Sequence, residues 1–164
     1  VFICRKCFNK KTGKESRIEL QMSEFLDDNF GTEFLISSDR SFKSQGGTYK
    51  YRPDKLYMGP NLVLHVECDE HQHRGKNYKC EQRRISDCYD EGDGKTYVVV
   101  RWNPHNYKPI SGPKKNIKER MVALLKELHF IRENPPEHKL SIVYMFYDHD
   151  NPNISKDIPC TFID

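Results

Sequence analysis

No apolar run in this chain approaches the roughly 20 residues needed to span a bilayer, which excludes a helical membrane protein. Nothing at the N-terminus reads as a secretory signal, and internal repeats and low-complexity segments are lacking. The net charge of +3 over 164 residues is too small to argue for a nucleic-acid partner unaided. The first residue is Val1 rather than Met, so a fragment or processed product is expected. Six cysteines (Cys4, Cys7, Cys68, Cys80, Cys88 and Cys160) are enough for disulfides in number. A domain with this many apolar stretches does not need them, so free or metal-bound thiols in a reducing compartment, nucleus or cytoplasm, are expected.

The length suits one globular domain with a proper core and little more. Residues 1–15, "VFICRKCFNKKTGKE", carry a Cys-x-x-Cys, the spacing of half a zinc site. Cys4 and Cys7 are therefore candidate zinc ligands at the edge of a Cys-rich module. Between residues 16 and 30, Ile18, Met22, Phe25, Leu26 and Phe30 fall on one helical face, with Ser16 as N-cap and Gly31 as terminator. Strands are expected at 32–37, 48–58, 61–69, 95–104 and 140–148, and further helices at 79–90 and 117–133. Residues 105–116 form a loop, and residues 151–164 read as a loop-like tail. This order predicts an α/β domain over 16–150, a mixed sheet flanked by helices.

The chemistry concentrates in "LVLHVECDEHQHRG" at 62–75. Residues two apart on a strand share a face, so Leu64, Val66 and Cys68 point to one side and His65, Glu67 and Asp69 to the other. Two carboxylates side by side on a half-buried strand repel each other and resist desolvation; a cation offsets both penalties. If 48–58 and 61–69 form a hairpin, a two-residue loop pairs positions summing to 119 and sets Asp54 diagonal to Glu67. A four-residue loop gives 121 and sets Asp54 opposite Glu67; an odd loop breaks the parity. Asp54, Glu67 and Asp69 converging on one face match the oxygen preference of Mg²⁺ (or Mn²⁺). Such an ion suits phosphodiester hydrolysis. Gln72 and His73 are candidates to orient the attacking water and carry its proton. Arg74, Lys76, Arg83 and Arg84 supply cations for a phosphate backbone. A rival reading makes His65, His71 and His73, with Cys68, a zinc site.

"RPD" at 52–54, the strand ending in "VECDEHQH", then "YKCEQRRISDC" and "TYVVVRWNP", resemble the PD-(D/E)XK nuclease superfamily. The pattern is similar to the very-short-patch repair endonuclease branch, and closer still to nuclease-like proteins of large DNA viruses and protists. The likeness covers roughly residues 16–148 and implies a restriction-endonuclease-like fold acting on DNA. It implies that Asp54 is the first motif acid and Glu67 the (D/E) position. Asp69 stands where the family places Lys, which leaves Gln72, His73 and Lys76 as alternatives for the general base. Glu19 or Glu24 would match an acid that some members bring near the metal. A catalytically inactive nucleic-acid-binding module is the alternative outcome.

Overall fold

The computed structural model describes residues 17–38, 53–74, 78–90 and 93–164. Cys4, Cys7, Ser16 and Lys76, and the expected strand positions 48–52, lie outside the described residues. Within them are three α-helices: α1 (Ile18–Asn29), α2 (Tyr78–Asp90) and α3 (Ile117–Glu133). Six strands form one mixed sheet in chain order: β1 (Leu35–Ser38), β2 (Lys55–Met58), β3 (Leu62–Cys68), β4 (Thr96–Trp102), β5 (Leu140–Met145) and β6 (Cys160–Ile163). The pairs β1–β2 and β2–β3 are antiparallel; β3–β4, β4–β5 and β5–β6 are parallel. The expected α/β class with a mixed sheet flanked by helices is thus observed. No described helix is long and apolar enough to cross a membrane.

Local sequence explains the element ends. Gly31 takes φ +90°, which lets its N–H return to the carbonyl of Leu26 and close α1. At α3, Asn116 accepts from the amides of Lys118 and Glu119 while the Glu119 side chain accepts from the Asn116 amide. Together these bonds satisfy three of the orphan donors of a helix start.

The sheet separates two apolar layers. Leu64, Val66 and Cys68 of β3 share one layer with Val98, Val100 and Trp102 of β4, under Met22 and Leu26 of α1 and Leu124, Leu128 and Ile131 of α3. Trp102 is fully buried and donates its indole N–H to the Arg120 carbonyl, so it is a core aromatic. Val63, Tyr97, Val99, Ile142 and Tyr144 form the other layer, under Ile85 and Cys88 of α2. The parity read from "LVLHVEC" is the parity observed.

Two elements differ from expectation. The strand expected at 32–37 starts three residues later and carries an irregularity between Leu35 and Ser37. The 151–164 segment is no loop-like tail: Cys160–Ile163 pairs with Ile142–Met145 as β6. Two alternating residues in "CTFI" give no readable period, so a short edge strand escapes pattern reading. Phe162 stacks on Tyr144 with ring centroids 5.5 Å apart, and Ser155 donates its amide to the Tyr144 hydroxyl. Truncation before Ile158 is accordingly expected to destabilise the domain by roughly 2–4 kcal/mol. Urea unfolding followed by circular dichroism measures this; an unchanged midpoint would remove β6 from the cooperative unit.

Candidate functional site

The β2–β3 register pairs Lys55 with Val66, Leu56 with His65, Tyr57 with Leu64 and Met58 with Val63, each summing to 121. This is the four-residue-loop case, with Gly59–Leu62 as the loop. Extended by one residue it sets Asp54 opposite Glu67. The side chain arrives as the parity argument requires: the Cys68 amide donates to Asp54 Oδ2 at 2.7 Å. Lys55 points to the other face, fully buried, with its Nζ 2.5 Å from Asp27 on α1.

Glu67 lies buried on the α2 side of β3. Its Oε1 is 2.6 Å from His65 Nε2, and Tyr97 Oη is 3.1 Å from His65 Nδ1. The imidazole is thus held on one side by the Glu67 carboxylate, which accepts from Nε2–H, and on the other by the Tyr97 hydroxyl. Arg84 on α2 approaches the same Oε1 at 3.6 Å. Burial pushes Glu67 upward, but the His65 hydrogen bond and the charges of His65 and Arg84 outweigh it and hold the carboxyl below its ordinary range.

Asp54 behaves in the opposite way. Burial, then the charge of Glu67, with smaller contributions from Glu19 on α1 and from Asp69, raises it from 3.8 to about 8, against the opposing Cys68 amide. Glu19 is therefore an α1 acid that the site feels.

Asp69, just past the end of β3, has a different employment from the one expected. It is fully buried, ion-paired to Arg101 Nε and hydrogen-bonded by the Tyr147 hydroxyl. Arg101 is placed by the parallel register, which sets it beside Glu67 and beside Tyr144 on β5. Among the described residues, no three His, Cys, Asp or Glu side chains are grouped to hold one ion. What the chain assembles is an opposed pair, Asp54 and Glu67, flanked by an Asp69 already matched with a guanidinium. A hard ion of the Mg²⁺ type fits such a pair, because it takes one or two protein carboxylates and leaves its other positions to water and phosphate oxygens.

The remaining candidates separate. Gln72, expected to orient water, is buried and its amide is committed to backbone: Nε2 donates to the Asn106 carbonyl at 2.9 Å, and Oε1 accepts from the Asp148 amide at 2.9 Å. The Asn151 side chain donates to the Gln72 carbonyl at 2.9 Å. His71 and Gln72 both take left-handed backbone, φ 54° and 56°, which turns the chain sharply after Asp69. The His73 side chain lies outside the described atoms. Arg74 pairs with Asp148 at 2.9 Å and Asp150 at 3.3 Å. Arg83 is exposed, and Arg84 is the cation that reaches the acids. For the zinc reading, His65 is sealed between Tyr97 and Glu67, whereas His71 is exposed and stacks on His105 at 4.0 Å. Cys68 belongs to the opposite layer, so these groups do not converge. Cys68 and Cys88 are buried free thiols and Cys160 is an exposed one. An apolar cleft of about 340 Å³, lined by Phe30, Phe34, Tyr57 and Leu64, opens at the turn end of the hairpin and shares no residue with the carboxylates.

Sequence reasoning left out His65 as the Glu67 partner, Tyr97 and Tyr147; for Arg101 in "TYVVVRW" it left the site and the solvent as alternatives, and the structure turns it to Asp69. Comparison with known proteins adds no relative: no family model, no curated protein and no solved structure matches this chain.

The raised Asp54 carboxyl makes stability depend on pH. Folded Asp54 holds its proton more tightly than the unfolded chain does, so its contribution is full below the unfolded value of 3.8 and is lost as pH rises towards about 8. Asp54→Asn keeps an acceptor for Cys68 and removes the charge. Without divalent ions the variant is expected to be about 2 kcal/mol or more stabler than wild type at pH 8, and indistinguishable at pH 4. Thermal unfolding in chelator at both pH values decides it; an equal gain at both would show that charge is not the cause. Arg101→Met leaves Asp69 buried without its guanidinium and is expected to cost roughly 3–5 kcal/mol. Adding Asp69→Asn should recover much of that loss in denaturant titrations, and simple additivity would contradict the pairing.

Proposed function

We propose that this domain is a divalent-metal-dependent endonuclease that hydrolyses phosphodiester bonds in DNA, with a restriction-endonuclease-like fold and with Asp54 and Glu67 as the protein ligands of a Mg²⁺ or Mn²⁺ ion. The observation that carries the reading is the opposition of these two carboxylates across β2 and β3, with one of them, Asp54, lacking a cationic side chain of its own among its described contacts. Supporting it are the added charge of Glu19 and Asp69 around Asp54, the mixed sheet between helical layers and the motif likeness of "RPD" and "VECDEHQH".

Held by Asp54 and Glu67, such an ion would supply charge neutralisation and a more acidic water. The chain's own residues do the rest. His65, held between Tyr97 and Glu67, fixes the rotamer of Glu67. Arg101 offsets Asp69 and Arg84 approaches Glu67, so the negative charge still felt from Glu67, Glu19 and Asp69 collects at Asp54. Arg84, about a third exposed, extends from Glu67 towards solvent as a contact for a phosphate oxygen. With the Gln72 amide bound to backbone, His73 and Lys76 remain the candidates for moving a proton.

A second reading, a nuclease-like module that binds nucleic acid without cutting it, is favoured by Asp69 standing at the family's Lys position and by the cations already gathered at Glu67 and Asp69. Supercoiled plasmid with Mg²⁺ or Mn²⁺ separates the two. Nicking by the wild type should fall at least ~100-fold in Asp54→Ala and in Glu67→Ala. Cutting that survives both substitutions sinks the nuclease reading. Calorimetry that finds no divalent-ion uptake at millimolar metal, with DNA affinity intact, establishes the module instead.

A further inference from the structure

The loop from β4 to α3, residues 103–116, is long for a connection without secondary structure, and loops of this length usually have work to do. It is also cationic, and the charge runs on into the first turn of α3. Residues 103–120 hold Lys108, Lys114, Lys115, Lys118 and Arg120 against the single acid Glu119, a charge of +4 that exceeds the +3 of the whole sequence.

Its backbone is held from several sides. Buried Asn103 donates to the Phe146 carbonyl at 2.8 Å and accepts from the His105 amide at 2.9 Å. Arg120 reaches back from α3 to the carbonyls of Asn103 and His105 at 3.0 and 2.7 Å. Gln72, three residues beyond Asp69, holds the Asn106 carbonyl. The neighbouring acids are occupied by the loop's own amides: Asp148 accepts from Lys108 N, and Asp164 accepts from Ile110 N.

The side chains are left facing outward. Lys108, Lys114 and Lys118 are exposed and Lys115 half-buried, and none of the four is in an ion pair among the described residues. Lys114 leans on Asn106 Oδ1 at 2.7 Å and over the Tyr107 ring. Between the lysines stands Ile110, 57% exposed, beside Pro109 on a braced turn. Ordering these cations in advance lowers the entropy cost of meeting an array of phosphates.

We infer that the 103–116 loop, with the first turn of α3, is the DNA-gripping element of this domain: its lysines neutralise backbone phosphates on one side of the carboxylate pair, and Ile110 is an apolar wedge set against the base stack. This rests on the nuclease reading for its partner, but assigns a surface that the site itself does not define. Cationic contacts release counterions and set the salt dependence of binding, whereas an apolar wedge contributes affinity without charge. The two halves therefore have separate readouts.

The test is duplex binding by the full chain in Ca²⁺, followed over a range of salt concentrations, with plasmid nicking in Mg²⁺ measured in parallel. Lys114→Gln/Lys118→Gln is expected to flatten the slope of log affinity against log salt by about 1–2 and weaken binding roughly tenfold near 0.1 M salt. Ile110→Ser should weaken binding about fivefold or more with the slope unchanged. Lys126→Gln, an exposed charge in the middle of α3, should alter neither. A wild type that binds and cuts, with slope and affinity untouched in the lysine pair variant, overturns the inference alone. An Ile110→Ser variant with wild-type affinity overturns the wedge, and a wild type that neither binds nor cuts overturns the nuclease reading with it.

Discussion

A carboxylate inside a protein must find a cation, a proton or a set of hydrogen-bond donors, and three acids at one end of a sheet have to divide these among themselves. The division here follows from one fact of topology, the parallel registration of β3 with β4. It sets Arg101 beside Glu67 and within reach of Asp69, so the innermost acid is matched by a guanidinium from the next strand. Glu67 is then left to His65 and Arg84, and Asp54 receives a backbone amide and the repulsion of its neighbours. The asymmetry between a depressed Glu67 and a raised Asp54 is the electrostatic signature of that allocation. It is also what sets the pair apart from a buried ion-pair network in which each acid has a cation of its own.

How much of this was legible before folding depends on the range of the contact involved. Alternation within β3 is local, and "LVLHVEC" sorts Leu64, Val66 and Cys68 from His65 and Glu67 without reference to the rest of the chain. The meeting of Asp54 with Glu67 needs only the length of one turn, so it could be narrowed to a few registers, of which the 121 pairing is the one found. Arg101 is another matter. A helix separates β3 from β4, and no local pattern fixes the offset between two parallel strands joined in that way. Tyr147 lies further still, past a second helix, and its hydroxyl meets Asp69 only because β5 completes the order. Gln72 misled for a different reason: a polar residue in a run of acids and histidines reads as solvent-facing chemistry, yet a left-handed turn folds it inward to satisfy the backbone of two distant loops.

The buried polar residues around the acids act as joinery between loops. Gln72, Asn103, Arg120 and Asn151 each satisfy main-chain groups that would otherwise be stranded beneath the surface. Their effect is to tie the chain after β3, the chain after β4 and the chain after β5 into one unit at the C-terminal ends of the parallel strands. Ligand sites in open α/β sheets gather at those ends, because the loops there can be varied while the strands beneath remain packed.

The two borders of the sheet complete the picture. Among the described residues, β1 at one side is four residues long with an irregular register, and β6 at the other is four residues long and runs parallel to β5. Short or kinked borders offer a poor template for a further strand. Extension of the sheet from copy to copy is therefore disfavoured, even though the central strands are dense in valine and aromatics. Such borders leave the loops, at the rim where the acids and lysines stand, as the surface through which the proposed nucleic-acid partner would be met.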